Sequence, residues 1–223
     1  MRTLAILPVK SFGAAKQRLG PALGSGSRQA LAQAMFTDVL TSLRRVPGLD
    51  SVAVVTADRV AEAAARGERV RVLRETEQAG QSAAASIGIA FALAEGFERV
   101  LLVPGDTPLL DPGEVAGLLA RHRSVSIVPD RHGTGTNALV LAPPDAIAPS
   151  FGPGSLERHV AAAETAGVAH AVEELPTLML DVDTRDDLAA LTTALAGRRG
   201  QAPSTRGALR QLERSLRHSA VPA

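Results

Sequence analysis

Short β-rich runs alternate with longer helix-periodic segments along most of this chain, and this alternation constrains the fold more than any other feature. The runs Thr3–Val9 and Ser51–Ala57 are apolar on both faces and rich in Val and Ile, as expected of buried strands. Arg99–Asp106 is a third run of this kind. Alternating strands and helices form βαβ units with right-handed crossovers. We therefore predict an α/β fold, with a mostly parallel sheet flanked by helices.

The other predicted elements continue the same alternation. Helices are predicted over Ser27–Val46, Ser82–Gly96, Asp111–His122, Gly154–Gly167 and Thr184–Ala196. Extended runs are predicted over Arg69–Glu75, Ser124–Asp130, Asn137–Pro143, the short stretch VAHAVEE and Leu178–Asp183. Because ligands of such sheets bind beyond the carboxyl ends of the strands, the loops that follow the strands are the first places to look for function.

The composition excludes several classes of protein and site. The net charge of +1 gives no overall field that would attract nucleic acid or an anionic membrane, and the apolar runs are too short to span a bilayer. The absence of Cys excludes disulfides, thiolate metal sites and Cys nucleophiles. With five Phe and no Tyr or Trp, stacking of nucleic-acid bases on aromatic side chains is not expected. We expect no signal peptide and a cytoplasmic location.

The segment after Gly197 differs in character from the rest of the chain. It contains six arginines and a single acidic residue, Glu213, and Gly, Pro and Ser cluster at its start. We expect residues 1–197 to form one domain and residues 198–223 a basic, flexible appendage, within which a short amphipathic helix over Ala208–Arg217 is compatible with the pattern. A tail that binds an acidic partner is the alternative.

The first strand is followed by the only lysines of the chain. Of 24 basic residues two are lysine, Lys10 and Lys16, and both lie with Arg18 in LPVKSFGAAKQRLG. Cations that follow a strand and a glycine can converge with loop amides on a triphosphate. The stretch lacks the G-x-x-x-x-G-K-[ST] pattern of a Walker A loop. The alternative is a pair of lysines on a solvated loop.

Acidic side chains follow two other extended runs. Asp106 in PGDTPLLDP lies where a carboxylate can reach a metal-bound phosphate, or else forms a turn with Thr107 and Pro108. Asp181 and Asp183 in LMLDVD are two residues apart, so an extended backbone directs both side chains to one face. Neighbouring carboxylates repel unless a cation lies between them, and Mg²⁺ suits oxygen ligands. We interpret Asp186 and Asp187 as helix caps.

Glycine-rich turns surround a third group of polar residues. DRHGTGTNALVL contains Thr136 and Asn137, and SFGPGSLERH places Ser155 at the start of a helix, where a phosphate or carboxylate can bind. Hairpin turns and an ordinary helix cap are the alternative interpretation. His159 lies one helical turn beyond Ser155 and is a weaker candidate for the wall of the same pocket.

Taken together, these loops resemble a known family. LPVKSFGAAKQRL, LLVPGDTPLL, GTGTNAL, FGPGSLERH and LDVDTRDDL occur in the order seen in the CofC/FbiD guanylyltransferases, which make the activated phospho-acid precursor of the deazaflavin coenzyme F(420). The resemblance extends from Met1 to about Ala196 and excludes the tail. It implies a single Rossmann-like nucleotidyltransferase domain of the nucleotide-diphospho-sugar transferase type.

The resemblance implies GTP-dependent transfer of GMP onto the phosphate of a three-carbon acid, phosphoenolpyruvate or 2-phospho-L-lactate, with release of pyrophosphate. Phosphoenolpyruvate is favoured because the sequence is most like the bacterial members. By resemblance, Lys16 and Asp106 are catalytic, and Asp106, Asp181 and Asp183 hold Mg²⁺. The phospho-acid would contact Thr136, Asn137, Gly152 and Ser155. The nucleotide would contact Pro8, Val9, Lys10, Lys16, Arg18, Gly80, Gln81, Ser82 and Asp106.

One departure from the family pattern leaves alternatives open. Many members have Gly-Leu-Asn where this chain has Gly80-Gln81-Ser82, a sequence closer to the molybdenum-cofactor nucleotidyltransferases. The preference for GTP over CTP or ATP is therefore open, as is a molybdopterin or sugar-phosphate acceptor. A non-catalytic nucleotide sensor on the same fold is a further alternative. We expect the product to pass to the next enzyme of the pathway, and an oligomer is compatible with the sequence.

Overall fold

A computed structural model describes residues 1–14, 16–20, 23–77 and 79–219. Within these residues it contains seven strands: β1 Thr3–Val9, β2 Ser51–Thr56, β3 Arg71–Arg74, β4 Arg99–Leu102, β5 Val125–Pro129, β6 Thr136–Leu141 and β7 His170–Val172. The helices are α1 Ser25–Leu43, α2 Arg59–Gly67, α3 Gln81–Ala94, α4 Pro112–Leu119, α5 Ser155–Thr165, α6 Arg185–Ala196 and α7 Pro203–Ser219. Over the described ranges, none of the helices combines the length and hydropathy that crossing a membrane requires.

The strands form one mixed sheet in the order β3-β2-β1-β4-β6-β5-β7. The first four are parallel, and Ile6 of β1 pairs with Ala53 of β2 on one side and Leu102 of β4 on the other. β6 is antiparallel to both β4 and β5, whereas β7 is parallel to β5. The antiparallel strand arises because the loop between β5 and β6 is too short for a crossover helix. The predicted α/β fold is confirmed.

Alternate residues of the central strands pack into two cores on opposite faces of the sheet. Leu7 of β1 lies in one core with Phe36 of α1, and the neighbouring Ile6 lies in the other core with Ile89 of α3. Helix α3 approaches β1 closely at Gly88, where an added Cβ would stand 2.4 Å from the Ile6 side chain. This two-sided burial explains why the strand pattern is continuous rather than alternating.

Two features differ from the predicted elements. Helix α2 was not predicted, because its buried apolar positions are mainly alanines, and its start is fixed by the Asp58 carboxylate, which accepts from the N–H groups of Val60 and Ala61. Residues 178–183, predicted as an extended run, form no strand in the sheet. Leu180 and Val182 instead point into a third apolar cluster, which lies outside the two main cores.

The expectation of a flexible appendage after Gly197 is wrong, because Pro203–Ser219 form helix α7, which packs on α1. Buried Asp38 of α1 accepts hydrogen bonds from the N–H groups of Ser204 and Thr205, at 3.1 and 2.7 Å, and so caps the start of α7. Leu209 and Leu212 of α7 join the third cluster. The apolar stripe of the tail is therefore partly buried against this cluster despite its arginines. Residues 220–223 lie outside the described residues.

Candidate active site

A cleft of about 520 Å³ opens at the carboxyl ends of the parallel strands. Its walls come from the loops after β1, β3 and β4, from the middle of α1 and from the start of α3. The strand ends converge there because four neighbouring strands are parallel. Seven of the predicted nucleotide-binding residues line it: Pro8, Val9, Lys10, Lys16, Gly80, Gln81 and Asp106.

Lys16 is buried at one end of this cleft between two carboxylates. Its backbone is left-handed, with φ of 59°, and its side chain is only 6% exposed. The ammonium group pairs with the Asp106 carboxylate and with Asp183 Oδ1, at 2.9 Å from the latter. Burial alone would lower the pKa of Lys16, but the charges of Asp106 and Asp183 outweigh it and raise the pKa above its ordinary value. The lysine therefore remains protonated at every physiological pH.

Asp106 has one carboxylate oxygen in use and one available. The Oδ2 atom pairs with Lys16, whereas the Oδ1 atom is buried and has no hydrogen-bond partner among the residues that the structure describes. An unsatisfied buried oxygen costs free energy, which a bound cation or a donor would recover. A cation or donor group bound in the cleft would therefore satisfy this oxygen.

Asp181 lies beside the same group and is held by β6. Asn137 Nδ2 donates to Asp181 Oδ1 at 3.2 Å and to the Leu178 carbonyl at 2.9 Å. Burial, followed by the nearby charges of Asp106 and Asp183, raises the pKa of Asp181 to about 6, although the Asn137 hydrogen bond acts in the opposite direction. The three predicted metal ligands therefore lie close enough together to influence one another's charge.

Asp183 is held from the other side by Asp187. The Asp187 Oδ2 atom accepts from the N–H groups of Asp183 and Thr184, at 3.0 and 2.7 Å. Thr184 and Asp187 form the capping box that begins α6. The interpretation of Asp187 as a helix cap is confirmed, and the cap also fixes the backbone of a predicted metal ligand.

The donor set suits a divalent cation bound together with a phosphate. Three carboxylates and one ammonium leave two negative charges, and the free Asp106 oxygen is a hard ligand. In the part of the chain that the structure describes, no three acidic or histidine side chains converge closely enough to enclose an ion by themselves. Mg²⁺ does not require such a cage, because it commonly keeps several waters and binds one or two carboxylates together with substrate phosphates. The residues therefore fit such an ion.

The predicted acceptor residues lie on β6 and on the loop before α5, and they do not line the cleft. The Thr136 hydroxyl is buried, 2.9 Å from His159 Nδ1. Ser155 begins α5, and its N–H donates to the carbonyl of Gly152, whose φ is 111°. The side-chain amide of Asn137 donates to Asp181 and to the Leu178 carbonyl, so its N–H groups are already used within the protein.

The two acceptor loops are joined through the backbone. The Leu156 N–H donates to the Thr134 carbonyl at 3.2 Å, and the Ser155 N–H donates to the Gly152 carbonyl at 3.0 Å. The first of these bonds connects the turn before β6 to the first turn of α5, and the second closes the turn that leads into α5. The structure therefore brings Thr136, Gly152 and Ser155 into one region beside the cleft.

Two predicted nucleotide-binding residues lie elsewhere, and several lining residues were missed. Arg18 is exposed on a short 3-10 turn, and the Ser82 hydroxyl accepts from the Phe151 N–H at 2.8 Å, so neither side chain lines the cleft. The missed lining residues include Phe12, Phe36 and Glu75. Glu75 directly follows β3, so the rule that ligands bind beyond strand ends was the signal that could have identified it.

A match to a family model over nearly the whole chain establishes the family of this protein. The family model described as "Guanylyl transferase CofC like" matches residues 3–222. The chain belongs to the CofC-like guanylyl transferase family. The match continues through α7, so the expectation that the resemblance ends near Ala196 is wrong.

Several relatives of this CofC-like chain bear the same name. The phosphoenolpyruvate guanylyltransferase of Conexibacter woesei is 52% identical over 219 residues, covering 96% of this chain and 98% of its own. That of Sphaerobacter thermophilus is 36% identical and covers 86% and 93%. That of Rubrobacter xylanophilus is 40% identical and covers 86% and 94%. The expected similarity to bacterial phosphoenolpyruvate guanylyltransferases is therefore confirmed.

Solved structures support the fold of this CofC-like chain. A crystal structure from Desulfovibrio desulfuricans, titled as a nucleotide-diphospho-sugar transferase, superposes with a TM-score of 0.78 at 19% identity and covers all of both chains. A CMP:2-keto-3-deoxy-manno-octonic acid synthetase complexed with CTP gives a TM-score of 0.59 at 14% identity, covering 88% of this chain and 99% of that one. At these identities the similarity shows the fold alone, which agrees with the predicted α/β sheet flanked by helices.

Proposed function

We propose that this chain transfers GMP from GTP to the phosphate of phosphoenolpyruvate, with release of pyrophosphate. The observation that carries the proposal is the buried Lys16 ammonium, held between Asp106 and Asp183 at the end of the cleft. Family membership and the names of the bacterial relatives support guanylyl transfer and the choice of acceptor.

The dimensions of the cleft suit a nucleoside triphosphate. Its walls run from Glu75, after β3, to Asp106, after β4. These strands are three positions apart in the sheet, which corresponds to roughly 14 Å at the usual spacing of neighbouring strands. The end with Lys10, Lys16 and Asp106 would take the phosphates, and the end with Glu75 and Gly80 would take the nucleoside.

Glu75 supports guanine as the base. Its Oε1 atom accepts from the Ala79 N–H at 3.3 Å, which restrains the side chain at the wall of the cleft. A carboxylate accepts two adjacent hydrogen bonds, and guanine presents two adjacent donors, N1–H and the 2-amino group. Adenine and cytosine do not present such a pair. This contact would favour GTP despite the departure at Gly80-Gln81-Ser82.

The reaction needs no strong general base. The second pKa of a phosphate monoester is about 6, so the acceptor phosphate is largely dianionic at neutral pH. One of its oxygens would form a bond to the α-phosphorus of GTP as the bond from that phosphorus to the bridging β-phosphate oxygen breaks, and the electron pair leaves with pyrophosphate. The obstacle is repulsion between two anions, which the Lys16 ammonium would reduce.

Mg²⁺ is proposed as the second source of positive charge. Asp106, Asp181 and Asp183 would hold it, and when bound it would supply charge neutralisation at the phosphates. Asn137 would orient Asp181, and Asp187 would hold the backbone of Asp183. Thr136, Gly152 and Ser155 would bind the phospho-acid.

We also propose a cytoplasmic enzyme whose product enters coenzyme F(420) biosynthesis. The product joins GMP to an enol phosphate through a phosphoanhydride, a reactive linkage that favours prompt consumption by a following enzyme. The support for this step is the family resemblance of the motif loops.

The test is pyrophosphate release by the purified full chain with Mg²⁺. GTP, CTP and ATP are each combined with phosphoenolpyruvate, 2-phospho-L-lactate or 3-phosphoglycerate, and a product-consuming enzyme is added in parallel. Release with GTP and phosphoenolpyruvate is expected. Release with CTP alone would overturn the proposed base, and release with another acid would overturn the acceptor. Nucleotide binding without release in any mixture would favour a sensor.

A further inference from the structure

His159 on α5 connects two walls of the proposed acceptor region. The side chain is completely buried, with Nδ1 2.9 Å from Thr136 Oγ1 and Nε2 2.9 Å from the Ser150 backbone nitrogen. The ring of Phe151 packs against it edge-on, with centroids 5.3 Å apart. One imidazole thus contacts the first residue of β6 and the loop that leads to Ser155.

The backbone contact fixes the tautomer of the imidazole. The Ser150 N–H can only donate, so His159 Nε2 accepts and carries no hydrogen. The single hydrogen of the neutral ring is then on Nδ1, which donates to the Thr136 hydroxyl oxygen. Burial, with a smaller contribution from the charge of Arg158, lowers the pKa of His159 to about 4 and agrees with a neutral ring.

This arrangement determines what Thr136 can offer to a ligand. Because its oxygen already accepts from His159, the hydroxyl hydrogen is available to donate to another group. The phosphate and carboxylate of a phospho-acid carry only acceptor atoms at neutral pH. A hydroxyl that instead donated to the imidazole would present its oxygen lone pairs to these anions.

We propose that His159 is a positioning residue, which orients the Thr136 hydroxyl as a hydrogen-bond donor to an anionic group of the acceptor. The inference rests on the proposed function, because it takes Thr136 as part of the acceptor site. The second bond, from Ser150 to Nε2, holds the acceptor loop at a fixed distance from β6. That loop is anchored again by the Phe151 N–H, which donates to Ser82 at the start of α3.

Two substitutions separate the two contacts of the imidazole. In His159→Asn the side-chain amide lies near the place of Nδ1, so a donor to Thr136 is kept and the contact to Ser150 is lost. In His159→Gln the amide reaches the place of Nε2, so the contact to Ser150 is kept and the donor to Thr136 is lost. The measurement is steady-state kinetics with GTP and phosphoenolpyruvate varied separately.

For His159→Gln we expect KM for phosphoenolpyruvate to rise about tenfold or more, because a hydrogen bond to a charged group is weakened. KM for GTP should stay within about twofold, and His159→Asn should raise KM for phosphoenolpyruvate by less than about threefold. Thr136→Val removes the hydroxyl at similar shape. In the Thr136→Val background, His159→Gln should raise KM for phosphoenolpyruvate little further, because the two changes interrupt the same interaction.

The outcomes distinguish the two proposals. Thermal unfolding and GTP binding first establish that each variant is folded. An active wild type, with His159→Asn and His159→Gln equally impaired toward both substrates, would overturn the positioning role alone. Additive effects of Thr136→Val and His159→Gln would overturn it as well. A wild type that releases no pyrophosphate from GTP and phosphoenolpyruvate would overturn the proposed function and this inference together.

Discussion

The side-chain amide of Asn137 donates to the Asp181 carboxylate across 3.2 Å, although the two residues are 44 positions apart in the chain. Thr136 and Asn137 are neighbours on β6, where its pairing with β5 shifts register. Thr136 contacts His159, whereas Asn137 contacts residues 178–181. Asn137 was predicted to bind the phospho-acid. Its contacts indicate instead that it positions a candidate metal ligand.

Asn137→Ala is expected to weaken the apparent affinity for Mg²⁺ more than the apparent affinity for the phospho-acid. Without the amide, the Asp181 carboxylate loses a hydrogen bond that favours its ionised form. The Mg²⁺ concentration that gives half-maximal activity should rise severalfold, with KM for phosphoenolpyruvate changed by less than about twofold. Kinetics at varied Mg²⁺ tests this, and a change confined to KM for phosphoenolpyruvate would restore the original prediction.

Lys16→Ala is expected to reduce kcat by about 10²–10³-fold, the usual cost of removing a group that stabilises developing charge. Lys16 is held by two carboxylates, so Lys16→Arg, which is longer, should also be impaired. Lys10→Ala is the matched comparison, since Lys10 lines the same cleft but is exposed. A Lys16→Ala enzyme that remains folded and fully active would contradict the role given to this residue.

The raised pKa of Asp181 predicts a pH-dependent cost to stability in metal-free protein. The pKa is about 6 in the folded chain and 3.8 ordinarily, so the folded state holds this proton more tightly. The cost is absent below about pH 4, grows between about pH 4 and 6, and is nearly constant above that range. At pH 7 in EDTA, Asp181→Asn should therefore be more stable than wild type, on the order of 1–2 kcal/mol.

Urea unfolding of wild type and Asp181→Asn at pH 4.5 and 7 measures this difference. We expect the advantage of the variant to shrink at the lower pH, and to shrink at pH 7 when Mg²⁺ is added. An advantage that is equal at both values of pH would show that ionisation of Asp181 is not its source.

Helix α7 is predicted to stabilise the segments that carry Lys16 and Asp183. Leu209 packs in the third cluster together with Leu19 and Val182, which lie close in sequence to those two residues. Leu209→Ala should lower the free energy of unfolding by about 1–3 kcal/mol. Leu93→Ala is the control, because Leu93 is 44% exposed on α3 and its loss should cost less than about 0.5 kcal/mol. Equal effects in denaturant unfolding would contradict the packing role.

Glu75→Gln is predicted to reduce discrimination between nucleotides. The replacement presents one donor and one acceptor where guanine needs two acceptors. We expect kcat/KM for GTP to fall about 10–100-fold, with little change for CTP and ATP, since these do not use the carboxylate pair. Competition between the three nucleotides measures the preference. An unchanged preference for GTP would place base recognition elsewhere in the cleft.

The part of the fold nearest the site was predictable because its strands are buried on both faces. Thr3–Val9 and Arg99–Leu102 carry uninterrupted apolar runs, and the polar residues that follow them meet at one edge of the sheet. The remaining aspartates, Asp181 and Asp183, were identified from their two-residue spacing, and the family motif agrees with that choice. The sequence pattern does not distinguish Asn137 as a partner of Asp181, because that contact depends on how distant segments fold together.

The tail shows a different limit of sequence analysis. Its arginines and its Gly-Pro-Ser start suggested a solvated segment, and the deciding partner is Asp38, a buried carboxylate on α1 that caps α7. An acidic residue within a helix gives no indication that it will cap another helix 166 residues away. The antiparallel β6 was missed for a similar reason, since the alternation of elements does not specify strand direction.

Transfer of the labelled α-phosphate tests the central claim most directly. The full chain is incubated with Mg²⁺, phosphoenolpyruvate and GTP labelled at the α-phosphorus, and the products are separated at once and identified by mass spectrometry. The account predicts that the label appears in a species containing both GMP and the three-carbon acid, in amounts equal to the pyrophosphate released. Label found only in GTP and free GMP, with phosphoenolpyruvate unchanged, would contradict it.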